Sequence, residues 1–241
     1  MRLYILCPIF NESLNIEELQ KNLISEISNY EIKFVFVDDG SSDESVELIN
    51  KFFIKSDFIV LGDGENHGPG YAFNLGFEWI LNNSSNNDDV ILTIEADNTS
   101  DLKIFPVMIA NCNLGYDLVL ASVYAQGGGF GKTVFIRKVY SFFANLILRL
   151  VFDIKVLTLS SFYRVYKISL IKAIKEKNKD IITEPGFISM IEILIKAIKL
   201  EAKIIEVPML LKSENRKGKS KMKIFKTIVS YLKFLFTNKN N

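Results

Sequence analysis

Short apolar runs alternate with stretches of helical periodicity, and this order limits the fold of the chain more than any other feature. "LYILC" (3–7), "KFVFVDDG" (33–40), "FIVLG" (58–62), "VILTIEAD" (90–97) and "DLVLAS" (117–122) read as strands. Between them, residues 13–27, 42–53, 68–83 and 102–112 carry apolar side chains at helical spacing. Acids open the helix at 42–53 and Pro69 stands near the start of the helix at 68–83, as helix starts prefer. Repeated strand–helix units predict an α/β fold: a mostly parallel sheet with helices on both faces. The second half is expected to add a long helix (133–152), a strand (160–167), a helix (186–200) and a strand (202–208). "NNSSNNDD" (82–89) is a polar surface loop.

Composition excludes several classes. With 241 residues, nearly half of them hydrophobic, the chain can bury the core of one domain with an elaboration. A net charge of +1 gives no reason to expect a nucleic acid partner. Cys7 and Cys112 lie far apart without metal-type spacing and fit buried thiols of a reduced, cytoplasmic protein. The opening "MRLYILCPIF" is interrupted by Pro8, so it does not read as a secretion signal. No window of eighteen residues is apolar and uncharged, so no span of a bilayer is expected.

"GGGFGKT" (127–133) invites a P-loop reading. That motif needs a glycine five positions before Gly131, where backbone N–H groups would wrap phosphates, and Gln126 stands there. The segment also lies past mid-chain instead of after the first strand.

In sheets of this kind ligands bind at the carboxyl ends of the strands. Polar groups gather at three of those ends. The first strand runs into Pro8, Asn11 and Glu12, the second into Asp38, Asp39 and Asp43, and the fourth into Glu95 and Asp97. Clustered acids repel unless a cation or hydrogen-bond donors stand among them. In a strand-like segment Glu95 and Asp97 share one face. One or two carboxylates suffice for Mg2+ or Mn2+ when diphosphate oxygens fill the remaining positions.

At this point the chain resembles a known family. "CPIFNESLNI", "VDDGSSD", "NHGPGYAFNLG" and "EAD" resemble the inverting family 2 glycosyltransferases of GT-A fold. "YAQGGGFGKTVFIRKVYSFFANLILRLVF", "SSFYRVYK", "EPGFISMIEILIKA" and "IIEVPMLLKSENRKGKSK" resemble its dolichol-phosphate mannose synthases and related polyprenyl-phosphate transferases. The likeness runs from about residue 3 to 236.

The resemblance implies a site. Asp97, with Glu95, would hold Mg2+ or Mn2+ and the diphosphate of a GDP- or UDP-sugar. Pro8, Asn11, Glu12, Asp38, Asp39, Gly68, Asn74 and Glu95 would contact the nucleotide, Asp39 facing the base or ribose. His67 reads as a loop residue rather than a catalyst. The glycines after the fifth strand would form a hinge leading into a helix with Arg137, Ser141, Asn145 and Arg149 on one stripe. A polyprenyl phosphate is already an anion, so what its transfer needs is positive charge. Arg137, Arg164, Arg216 and Lys221 would supply it, with Asp97, Arg137, Arg216 and Lys221 at the reaction itself and Ser141, Asn145 and Arg164 on the acceptor. The "R..GKSK" segment, Arg216 to Lys221, would close over donor and acceptor. The chain departs from the family at Glu95 (usually Asp), Val123 (usually Arg), Thr158 (usually Asp) and Phe162 (usually Gly). The two lost polar groups, at Val123 and Thr158, leave the identities of sugar and acceptor open and also allow a weakened or inactive enzyme.

These readings divide the chain into a catalytic domain, 1–211, and a C-terminal segment, 212–241. The domain comprises a donor half (1–123) and an acceptor half (124–211). Residues 212–226 hold seven Lys or Arg against Glu214 alone. In 221–236, Ile224, Ile228, Leu232 and Leu235 line one helical face, which suits a basic amphipathic helix on the inner face of a membrane. The same face could instead dock on the domain's own core. The expected activity is metal-dependent, inverting transfer to a polyprenyl phosphate. The alternatives are transfer to a soluble glycan, or nucleotide-sugar binding without catalysis. A nucleotidyltransferase should carry a glycine-rich, basic signature after the first strand, which "CPIFNE" is not.

Overall fold

The computed structural model describes residues 1–27, 29–132, 145–218, 230, 231 and 234. Nine strands, β1 to β9, are described: Leu3–Ile9, Ile32–Asp38, Phe58–Leu61, Val90–Thr93, Leu118–Ser122, Gly129–Phe130, Arg164–Lys167, Ile204–Pro208 and Leu210–Leu211. Helices α1 to α6 span Ile16–Ile27, Ser45–Phe52, Pro69–Asn83, Phe105–Asn113, Ile168–Lys177 and Ser189–Lys199. Residues 145–152 are also helical; the earlier part of the long helix expected at 133–152 lies outside the described residues.

Seven strands form one sheet in the order β3-β2-β1-β4-β7-β5-β8, and β6 pairs with β9 in a small second sheet. The pairs among β3, β2, β1 and β4, and β5 with β8, are parallel. This is the GT-A arrangement expected, with one element placed differently. The strand at 164–167 runs antiparallel between β4 and β5, with Thr93 opposite Arg164 and Leu118 opposite Tyr166.

Alternation along β1 explains why its sequence is apolar throughout. Tyr4 and Leu6 pack with Phe73 and Phe77 of α3 and with residues of α5 and α6. Leu3, Ile5 and Cys7 point the other way, among residues of α1, α2 and α4. A sheet covered on both faces reads as near-continuous hydrophobic sequence.

From β1 the chain builds outward to β2 and β3, then returns across β1 to place β4 on its other side. The order reverses between β1 and β4, and such a switch point opens a crevice at the strands' carboxyl ends. Because β7 is antiparallel, its first residue, Arg164, lies at that same rim opposite Thr93.

Candidate active site

Two loops frame the crevice, and a third segment crosses it. The loop after β1 is stitched to the loop after β2. Asn11, at φ 53°, donates its backbone N–H to Ser41 Oγ at 2.9 Å and accepts from Ser42 N–H at 2.7 Å. The backbone N–H of Glu12 donates to Ser45 Oγ (2.8 Å) and that of Ser13 to Asp43 Oδ2 (3.1 Å). Burial alone would raise the Asp43 carboxyl, but hydrogen bonds from Ser45 and Ser13 outweigh it and hold the pKa below the ordinary value. Pro8 stands near the end of β1, half-buried.

Asp39 is buried and organises the loop before α3. Its carboxylate accepts from the backbone N–H of His67 (2.8 Å), the backbone N–H of Gly68 (2.9 and 3.0 Å) and Asn66 Nδ2 (3.0 Å). Burial raises its pKa, and the two backbone donors only partly offset this. Asp39 therefore shapes the wall of the crevice by fixing residues 66–68. Asp38 binds the backbone N–H of Ser41 in the adjoining turn. Gly68 has φ 97°, and a Cβ there would lie 2.6 Å from Pro185 O. His67 pairs with Asp63 in the exposed loop, as a loop residue should.

The fourth strand ends at Thr93, earlier than expected, and Glu95–Asp97 follow in a turn. Asp97 is 5% exposed. Its Oδ1 accepts from Thr99 N–H (3.0 Å) and Thr99 Oγ1 (2.7 Å). Its Oδ2 accepts from Arg216 Nε at 2.7 Å and from a second guanidinium nitrogen. Burial opposes the Arg216 charge, but Asp97, then Glu95 and Glu12, outweigh it and hold the arginine above its ordinary pKa. The buried Cys7 thiol is pushed up by burial and by the same three acids, so Glu12, Glu95 and Asp97 share one field.

Arg216 reaches the crevice because residues 209–217 form a strap along its rim. Gly129 N–H donates to Met209 O and Gly131 N–H to Leu211 O. Lys212 N–H donates to Thr99 O at 2.9 Å, and Lys212 Nζ to Asp101 Oδ1 at 3.0 Å. Asn15, 1% exposed, holds both backbone groups of Lys217, each at 3.0 Å. Its side chain also donates to Glu12 Oε2, and its carbonyl accepts from Asn98 Nδ2. Gly131 of "GGGFGKT" lets this strap approach, since a Cβ there would meet Glu214 Oε2 at 2.7 Å and Leu211 O at 2.9 Å, while a Cβ on Gly128 would meet Ser122 O of its own turn at 2.4 Å. Gly129 and Gly131 serve backbone pairing with the strap.

Three of the expected site residues bond to the protein's own backbone. Arg164 is fully buried; Nε donates to Ser161 O, NH1 to Met190 O and NH2 to Leu159 O. Its guanidinium thus ties the loop before β7 to the start of α6. Asn145 is buried and accepts from Leu159 N–H at 3.1 Å, pinning the same loop. Asn74 accepts from Ile182 N–H at 2.9 Å and ties α3 to the loop before α6. Arg137, Ser141 and Lys221 lie outside the described residues.

The family departures are packed in. Phe162 meets Phe73 edge-on at 5.0 Å and stacks on Phe187 at 5.6 Å. Thr158 shares a 2.7 Å hydrogen bond with Ser122, while Glu206 holds the backbone N–H groups of Leu157 and Thr158. Sequence reasoning missed Asn15, Thr99, Glu206 and Glu192. Glu192 accepts from Thr183 N–H, Thr183 Oγ1 and Glu184 N–H and pairs with Lys196 at 2.7 Å.

The two described tail positions nearest the C-terminus, Tyr231 and Phe234, pack on the domain; Phe234 is buried and meets Phe152 at 5.7 Å. Ile224, Ile228, Leu232 and Leu235 lie outside the described residues. Among the described residues no helix is long and apolar enough to cross a membrane.

Residues 4–175 match the Glycosyl transferase family 2 model. Over 240 residues the chain is 28% identical to a dolichol-phosphate mannosyltransferase of Pyrococcus furiosus, covering 98% of this chain and 63% of that protein. It is 30% identical over 119 residues to an undecaprenyl-phosphate 4-deoxy-4-formamido-L-arabinose transferase of Pseudomonas fluorescens, covering 48% of this chain and 33% of that protein. The chain thus spans less than two thirds of the length of these relatives. A glucosyl-3-phosphoglycerate synthase of Mycobacterium tuberculosis, solved with Mn2+ and uridine-diphosphate-glucose, superposes with a TM-score of 0.67 at 15% identity, covering 97% of this chain and 78% of that one. The last likeness establishes the fold.

Proposed function

The chain belongs to glycosyl transferase family 2, and from that premise we propose that it moves a sugar from a nucleotide-sugar to a polyprenyl phosphate at the inner face of the membrane. The observation that carries this reading is the pairing of Arg216, from the basic segment, with Asp97 at the switch point between β1 and β4. The likeness to polyprenyl-phosphate transferases supports the acceptor class.

A divalent cation, Mg2+ or Mn2+, fits the residues present. Among the described residues no three His, Cys, Asp or Glu side chains converge as a cage. Asp97, with Glu95 two positions away, suits a hard cation that takes its other oxygens from water and a diphosphate. When bound, such a cation neutralises charge on the leaving group. The fold relative solved with Mn2+ and UDP-glucose supports this assignment.

The chain's own residues do the rest. Pro8, Asn11, Glu12, Asp38 and Gly68 line the nucleotide side, and Asp39 keeps that side in shape through residues 66–68. An acceptor phosphate oxygen bonds to the anomeric carbon as the bond from that carbon to the diphosphate breaks. The electron pair leaves with the nucleoside diphosphate, and a single displacement inverts the anomeric centre. A phosphate monoester is ionised at neutral pH, so no strong general base is required. Arg216, with its forked donors, stabilises the charge growing on the diphosphate. Arg137, Ser141 and Lys221 are assigned to the acceptor phosphate by resemblance.

Incubation with radiolabelled GDP- and UDP-sugars and polyprenyl phosphate tests the reading. Label should pass into the organic phase with one nucleotide series. Label that stays in a water-soluble glycan would select transfer to a soluble acceptor instead. That second reading is favoured by the docking of Phe234 on the domain.

A further inference from the structure

From the bonding at Asp97 we infer that Arg216 and the donor's divalent cation exchange at this carboxylate, and that Asn15 keeps Arg216 within reach during the exchange. The inference rests on the proposal that Asp97 is the metal ligand. A carboxylate offers about four lone-pair sites. Thr99 N–H and Oγ1 take two at Oδ1, and two guanidinium nitrogens of Arg216 take two at Oδ2. A cation reaching Asp97 has to displace one of these partners. The Thr99 bonds close a local turn two residues away and belong to the loop itself. Arg216 comes from a segment 119 positions distant, and its long side chain can leave without unfolding anything.

The backbone need not move with it. Asn15 accepts the Lys217 N–H and donates to the Lys217 carbonyl, so the residue after Arg216 stays docked on the loop after β1. Lys212 anchors the other side of the segment through Thr99 and Asp101. Between these anchors the guanidinium can turn from the carboxylate to the diphosphate that arrives with the cation. Asn15 is thus a positioning residue: it touches neither reactant and sets where Arg216 can act.

The test is Mn2+ affinity, read by electron paramagnetic resonance with Mn2+ alone and without nucleotide. Arg216→Ala should bind Mn2+ about tenfold more tightly than wild type. Lys217→Ala removes one exposed positive charge next door without touching Asp97, and should change affinity by less than about twofold. Asn15→Ala leaves the charge unchanged but frees the strap, and should also tighten binding; if it does not fold, the two basic variants still decide. Arg216→Ala binding no more tightly than wild type overturns the exchange, and so does Lys217→Ala matching it. Adding Asp97→Ala to Arg216→Ala separates the two levels of the reading. Loss of the gain supports exchange at Asp97. A gain that survives shows that the cation binds elsewhere, and the metal assignment falls along with the exchange.

Discussion

Asp97 and Asp39 both lie in loops that follow strands, yet their surroundings assign them different work. Asp97 faces a cation, Arg216, and both side chains are largely shielded from solvent. Asp97→Ala should lower transfer by at least about a hundredfold, because removing one preorganised electrostatic partner costs on that order. Circular dichroism should stay native, and near-wild-type turnover would remove Asp97 from the mechanism. Asp39 faces N–H donors. Asp39→Asn turns one acceptor oxygen into a donor against them and should cost about 1–3 kcal/mol of stability, measured by urea denaturation. The pH dependence has a definite sign. The folded pKa of Asp39 is raised, so between the unfolded and folded values the native state holds more proton than the unfolded one. Stability from this group therefore falls as pH rises from the ordinary carboxylate range through the raised value. That slope should vanish in Asp39→Asn; an unchanged pH profile would mean that Asp39 is not the titrating group. Both acids were legible as strand-end residues. The anchor of the strap that carries Arg216 was not, because Asn15 before a helix reads as an ordinary cap, and nothing local announces Lys217, 202 positions away.

At the scale of elements, periodicity identified the strands and helices but not their neighbours. Segment 164–167 was legible as a strand, whereas its insertion between β4 and β5 was not. Direction and partner depend on long-range packing, which a segment of four residues does not encode. The surroundings of Arg164 were not legible either: its guanidinium meets the carbonyls of Leu159, Ser161 and Met190. Contact between the donor-side loop and the loop before α6 was equally hidden. Gly70 N–H donates to Pro185 O at 2.7 Å, and a Cβ at Gly70 would lie 1.9 Å from Glu184 O. The obstacle is backbone, held in place by Glu192 through the N–H groups of Thr183 and Glu184. Gly70→Ala must push the two loops apart and should cost about 1–3 kcal/mol or more. A urea midpoint within error of wild type would show that the loops separate freely.

At the scale of the whole molecule, the membrane proposal depends on what its charges are free to do. Lys212 and Arg216 are engaged with Asp101 and Asp97, so two of the seven basic residues in 212–226 serve the site. Truncation after Leu211 would remove Arg216 as well as the tail and could not separate docking from catalysis. The helical residues 145–152 offer a cleaner handle. Ile147 and Leu150 are 51% and 74% exposed, Val151 is also exposed, and Phe152 beside them carries Phe234 of the tail. This leaves an outward apolar face on the described part of that helix. Each basic residue near an anionic bilayer contributes on the order of 1 kcal/mol, screened over about 8–10 Å at physiological salt. Burying a leucine adds roughly 1.5–3 kcal/mol. Wild type should therefore sediment with acidic vesicles at low salt and release as salt rises. Leu150→Glu should weaken sedimentation by about tenfold or more, since each 1.4 kcal/mol is a factor of ten. Its stability should stay within about 0.5 kcal/mol of wild type, because the position is open to water. Nucleotide binding should be unaffected, as Asp39 and Asp97 lie at the strand ends. Wild type that remains in the supernatant with acidic lipid at low salt would rule out the membrane surface, and the soluble acceptor would take its place.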